Sequence, residues 1–163
     1  MHNEPVGKQK LIEPIIINDD IYLQNWLNAD YKTNAYHHEE CVYETRQGEL
    51  VRSKSEAMLV DMYFNLGVPY LYECGVDIGF NKTKYLDFTL LDVKNRKEIY
   101  REHMRLLDDE FYREHNLRKI NEYRHAGIYP GKNLIITHEA VGSPFNIRDI
   151  EKMIIELFDF PYQ

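Results

Sequence analysis

Between Tyr70 and Arg105 the chain runs through three strand-patterned stretches, Tyr70–Ile78, Tyr85–Val93 and Glu98–Arg105, divided only by the turn-like strings GFNKTK and KNRK. Connections this short join antiparallel neighbours, whereas parallel strands need a crossover of roughly a dozen residues or more. The pattern predicts an antiparallel meander at the centre of the fold. Helices surround it. Ser53–Leu66 places Leu59, Met62, Tyr63 and Leu66 at helical spacing, with Gly67 as the stop and Pro69 beyond it. A polar helix over about 109–126 ends at Gly127 and Pro130, and NLIIT (133–137) reads as a short buried strand. A last helix starts near Asn146 and is expected to bury Ile150, Met153, Ile154 and Leu157. Helix, three strands, helix, strand, helix is the order of an α/β fold with a central mixed sheet flanked by helices.

Ahead of that core, residues 1–17 read as an N-terminal arm, in which Pro14 opposes a helix over the apolar run Leu11–Ile17. Asn18-Asp19-Asp20 is an N-cap cluster for a helix through Ile21, Trp26 and Leu27. NADYKTNAYHHEE reads as loop or irregular helix, and CVYETRQGELV as a small hairpin turning at Gln47-Gly48. Residues 18–163 are then a single domain, a size that one hydrophobic core supports.

Composition limits the function classes. With 44% apolar and 29% charged residues the chain belongs with globular domains. No apolar run approaches the ~18–20 residues needed to cross a bilayer, and MHNEPVGKQK lacks the apolar stretch of a signal peptide. Cys41 and Cys74 form neither a disulfide framework nor a metal-type spacing, so two free thiols in a reducing, cytoplasmic setting are expected. A net charge of −7 argues against a protein that grips nucleic acid mainly by overall attraction. It leaves room for an enzyme with local basic clusters. Three are visible: Arg46, Arg52 and Lys54; Lys94, Arg96 and Lys97; and Arg113, Arg118, Lys119 and Arg124.

Three carboxylates carry the chemistry. Glu56 lies on the core-facing side of its helix, three, four and seven residues before Leu59, Val60 and Tyr63. Ser53-Lys54-Ser55-Glu56 also matches a capping box, and the two roles are compatible. Asp87 in YLDFTLL shares a strand face with Tyr85, Thr89 and Leu91, and Glu102 in IYREHM shares one with Tyr100 and Met104. An edge strand turning either side chain to water is the plain alternative. Buried carboxylates otherwise need a counter-charge, and a shared divalent cation is one. The histidines lack zinc-like spacing, and GIYPG lacks a strand–GxxxxGK[ST]–helix context. The tyrosines suit core and interface positions and also base stacking.

The strings TRQGELVRSKSE, YECGVDIG, YLDFTLL, YREH and AGIYPGKNLIITHE resemble the PD-(D/E)XK nuclease superfamily, nearest to small bacterial and phage proteins with a VRSKSE helix. The likeness spans roughly residues 43–140. It implies a restriction-endonuclease-like core and Mg²⁺- or Mn²⁺-dependent hydrolysis of nucleic acid, DNA first, by a homodimer or a partner-bound subunit. It maps Glu56 to the helix glutamate, Asp87 to the motif aspartate and Glu102 to the glutamate of E-x-K. Met104 stands where that motif has lysine, so Lys119 on the next helix is the expected catalytic substitute, with Lys54 behind it. Asp87, Glu102 and Glu56 are the expected metal residues, with His103 contributing through its carbonyl, since its ring points to the other face. Arg52, Lys54 and Tyr123 are the expected substrate contacts. Loss of the lysine also allows an inactive, nuclease-like binding module.

Overall fold

A computed structural model describes residues 17–105 and 108–159, so the expected arm of residues 1–17 lies, but for Ile17, outside the described residues. In chain order the elements are α1 (Asp19–Leu27), β1 (Tyr43–Glu44), β2 (Leu50–Val51), α2 (Lys54–Leu66), β3 (Tyr70–Tyr72), β4 (Gly75–Asp77) and β5 (Thr83–Tyr85). They continue with β6 (Phe88–Asp92), β7 (Lys97–Met104), α3 (Glu110–Arg124), β8 (Leu134–His138) and α4 (Ile147–Leu157). The four-stranded sheet has the order β3-β6-β7-β8. Its first three strands are antiparallel, and β8 lies parallel to β7 after the crossover through α3. The chain is therefore α/β with a mixed sheet flanked by helices. Among the described residues no helix is long and apolar enough to cross a membrane.

Local chemistry sets the helix ends. Asn18, Ser53, Asp109 and Asn146 sit in extended backbone, and each accepts amide hydrogens of its first turn. Gly67 closes α2 at φ 68°, a left-handed conformation that costs glycine little. The small hairpin forms where expected, with Tyr43 opposite Val51 and Glu44 opposite Leu50.

The meander is broken where one continuous ribbon was expected. The run from Tyr70 to Ile78 divides at Glu73, which adopts φ 44°, and the run from Tyr85 divides at Leu86-Asp87. The four resulting pieces serve two sheets, because β4 and β5 pair only with each other. Gly75 is required in β4: a Cβ there would come within 2.8 Å of Thr83 and 3.1 Å of Lys32.

Two cores lie on opposite faces of the main sheet. One joins Leu59, Val60 and Tyr63 of α2 to Phe88 and Leu90 of β6 and Ile150 and Ile154 of α4. Met153 packs at its margin, while Leu157, on the same face but the last residue of α4, is exposed, contrary to expectation. The other core gathers Leu86, Tyr123, Ile128 and Leu134, with Tyr100 and Ile136 packed against them. Strand β8 is only half-buried after Leu134, since it forms an edge of the sheet.

Candidate functional site

Asp87 is not inside a strand. It occupies the bend between β5 and β6, one step past the last ladder pair, Phe88 opposite Arg101. Continuing that register sets Asp87 against Glu102. Aspartate is a poor strand former, and here both its groups are used across the break. The Asp87 carbonyl accepts the Glu73 amide at 3.1 Å, and its Oδ2 accepts the His103 amide at 2.7 Å. A side chain thus replaces a ladder bond at the start of the β6 and β7 pairing.

Glu102 is 2% exposed on the face that α3 covers. The Lys119 ammonium lies 3.0 Å from its Oε1, and the Tyr123 hydroxyl donates to the same oxygen. Burial raises the Glu102 carboxyl well above its ordinary value, and the nearby Asp87 charge pushes it further. Burial would depress Lys119, but Glu102 and Asp87 outweigh it and hold the ammonium above its ordinary value. Tyr123 is likewise raised, by burial and then by Glu102.

Glu56 approaches from the face that α2 covers. It is 6% exposed, and both its oxygens are engaged. Oε2 accepts from the Arg52 amide and from the Tyr72 hydroxyl, each at 2.9 Å, and Oε1 pairs with Arg105 at 3.0 Å. Ser53 accepts the Glu56 amide at 3.2 Å, which is half of a capping box; the carboxylate reaches the Arg52 amide, one residue before the cap. Burial, then Asp87, raises the Glu56 carboxyl. Asp87 therefore acts electrostatically on both glutamates. The three do not form one ligand cluster: among the described residues no group of three or more His, Cys, Asp or Glu is placed to hold a metal ion.

His103 turns its ring to the opposite face from Glu102. Nδ1 lies 2.9 Å from Thr137 Oγ1, the ring sits edge-on to Phe145, and Nε2 is 3.7 Å from Glu139. Burial, then the Arg101 charge, lowers its pKa. Arg101 also donates to Thr137 Oγ1 at 2.8 Å, so this hydroxyl links the imidazole to the guanidinium.

Two of the expected substrate contacts have other work. The Arg52 guanidinium makes a paired contact with Glu73 at 2.6 and 3.1 Å and donates to the carbonyls of Tyr36 and His37 at 2.6 and 2.7 Å. It ties the 36–38 segment to the core instead of offering a fork to phosphate. Tyr123 is fully buried and holds Glu102, so its ring is closed to a base. Lys54 is exposed on the first turn of α2.

Arg105, Tyr72 and Arg101 were not foreseen. Arg105 shares the odd-numbered face of β7 with Arg101 and His103, and Tyr72 alternates with Tyr70, so periodicity alone held a signal for both. Nothing in the sequence marks the complete burial of Arg101. No family model, no curated protein and no solved structure matches the chain.

Proposed function

We propose that the chain is a metal-dependent phosphodiesterase acting on nucleic acid, with DNA as the first substrate, on a restriction-endonuclease-like core. One observation carries this reading: buried Glu102 is held by Lys119 at 3.0 Å from the following helix and stands across the register from Asp87. The lysine that E-x-K would place two residues after the glutamate is thus supplied from α3, while Met104 stays in the core, 8% exposed.

The donor set fits a hard cation. Asp87 and Glu102 offer oxygens only; burial raises Glu102, the Asp87 charge adds to it, and a divalent ion at the pair would offset that repulsion. Asp87 and Glu102 would hold Mg²⁺ or Mn²⁺, which when bound activates water and neutralises phosphate charge. The remaining roles fall to the chain. Lys119, protonated at neutral pH, does not act as a base; it orients the nucleophile and stabilises charge developing on phosphate. Tyr123 fixes the Glu102 rotamer. Its contact and that of Lys119 both fall on Oε1. Glu56, with Arg105 and Tyr72, is a positioning residue that keeps the α2 N-terminus beside Asp87. Lys54 is assigned to the phosphate backbone.

The test is calorimetric titration with Mn²⁺ of wild type and Asp87→Ala, followed by cleavage of single-stranded, duplex and branched DNA. The expected outcome is binding and cleavage in the wild type only. No cleavage of any substrate, together with unchanged metal binding in Asp87→Ala, would sink the proposal. Metal-independent DNA binding without cleavage would instead favour the second reading, an inactive binding module, for which the absent E-x-K lysine speaks.

A further inference from the structure

A cavity of about 660 Å³ opens between the segment after α1, the hairpin turn and β3. It is within the range of small-ligand sites. Its walls are built, not incidental. Residues 32–34 run alongside 73–75: Gly75 donates to the Lys32 carbonyl at 2.8 Å, Asn34 to the Glu73 carbonyl at 3.3 Å, and Thr33 bridges Cys74. Arg52 clamps the carbonyls of Tyr36 and His37 from the other side. Gly75 favours this approach, because a Cβ there would lie 2.8 Å from Thr83, 3.0 Å from Tyr85 and 3.1 Å from Lys32.

The lining has a specific chemistry. Tyr31, Tyr70 and Tyr72 bring three aromatic rings, and Asn34, Glu49 and Glu73 bring hydrogen-bonding groups. Among the described residues no lysine or arginine lines it. Glu49 accepts from the Tyr70 hydroxyl at 2.7 Å and Glu73 from Arg52, so both carboxylates are fixed. Glu73 is offset by Arg52, but the Glu49 charge, partnered only by a tyrosine hydroxyl, disfavours a phosphate, whereas a flat uncharged ring with amino hydrogens would stack and donate. The cavity also communicates with the proposed active site through one residue: the Tyr72 ring lines it while the Tyr72 hydroxyl donates to Glu56 at 2.9 Å.

We infer that this cavity holds an unpaired nucleobase bearing an exocyclic amino group, from a nucleotide next to the phosphodiester placed at Asp87 and Glu102; this rests on the phosphodiesterase reading. The substrate would then be single-stranded, or a duplex with a base turned out, and the base would stack on tyrosine while Glu49, Glu73 or Asn34 accepts from its amino group. The backbone stays outside, where Lys54 lies. A paired base is excluded, since its amino edge is already occupied and its faces are stacked.

The experiment is a fluorescence titration of a single-stranded DNA oligonucleotide carrying 2-aminopurine, in excess chelator so that no cleavage occurs. Wild type is expected to quench the probe, and an all-thymine strand is expected to compete poorly. Tyr31→Ala should weaken binding about tenfold through loss of a stacking ring. Tyr31→Phe, which keeps the ring, should bind like wild type. Absence of quenching with wild type, or equal affinity for wild type and Tyr31→Ala, overturns the inference. So does displacement of the probe by millimolar tetramethylammonium, which would assign the tyrosines and glutamates to a cation. Cleavage is scored separately with Mn²⁺. Cutting without quenching removes the base pocket and keeps the phosphodiesterase; quenching without cutting removes the phosphodiesterase and keeps the pocket.

Discussion

Glu102 and Arg101 are neighbours in β7, face opposite sides of the sheet, and are 2% and 0% exposed. On the α3 side, the acid meets a lysine at 3.0 Å and a tyrosine hydroxyl. On the α2 and α4 side, the base donates from Nη2 to Thr137 at 2.8 Å, while its Nε and Nη1 find no partner among the described residues. Its nearest aromatic neighbour, Phe88, lies 6.0 Å away, at the limit of a useful cation–π contact. Among the described residues, one buried charge is therefore compensated and the other is not. Compensation needs an element that crosses the charge with the opposite sign. Polar α3 supplies it. Helices α2 and α4 present apolar side chains to Phe88 and Leu90 and do not.

The largest effect should come from breaking the compensated side. Lys119→Met leaves Glu102 buried and unpaired, and urea denaturation should show a loss of about 3 kcal/mol. On the proposed function the same change should lower cleavage by about 10²–10³-fold. An unchanged midpoint would mean that Glu102 does not depend on the ammonium. Tyr123→Phe removes one hydrogen bond to the same carboxylate, and a loss of about 2 kcal/mol is expected in the same assay.

On the uncompensated side the sign should reverse. Arg101→Met replaces an orphaned cation with an apolar side chain of similar length, and a gain of about 1–2 kcal/mol is expected. A loss as large as that of Lys119→Met would show that Arg101 has a partner and would erase the contrast between the faces.

A pH slope also separates the two faces. Glu102 is raised from its ordinary 4.5, so the folded state holds its proton more tightly than the unfolded chain. Without metal, stability should fall as pH rises above 4.5 and level off once the folded-state group has ionised, by about 1.4 kcal/mol per unit of displacement. Lys119, raised from 10.5, contributes fully across that window and is lost only in stronger alkali. Glu102→Gln should flatten most of the slope, leaving the part due to Glu56, whereas Arg101→Met should leave it intact. Thermal unfolding across pH with and without Mg²⁺ reads this directly. A slope unaltered by Glu102→Gln would assign it elsewhere.

What the sequence determined by itself is what short range can decide. The caps at Asn18, Ser53, Asp109 and Asn146, the glycine stop at Gly67, the hairpin around Gly48 and the helix, strand and helix order all depend on residues within a turn of one another. Much of the candidate site was legible in the same way, because Glu56 sits at a helical core position and Lys119 lies on the next helix within a side chain's reach of Glu102. The tertiary structure alone decided the rest. It broke the meander at Glu73 and Asp87, so that an aspartate expected in mid-strand caps a β7 amide from a bend. It spent Arg52 on Glu73 and two distant carbonyls, sealed Tyr123 against Glu102, and buried Arg101 without an ion-pair partner among the described residues. Each of these depends on which group, well outside the local turn or hairpin, lies across from a side chain. Alternation tells which face a residue takes, but not whether the element packed on that face brings an opposite charge, an open cavity or only hydrocarbon.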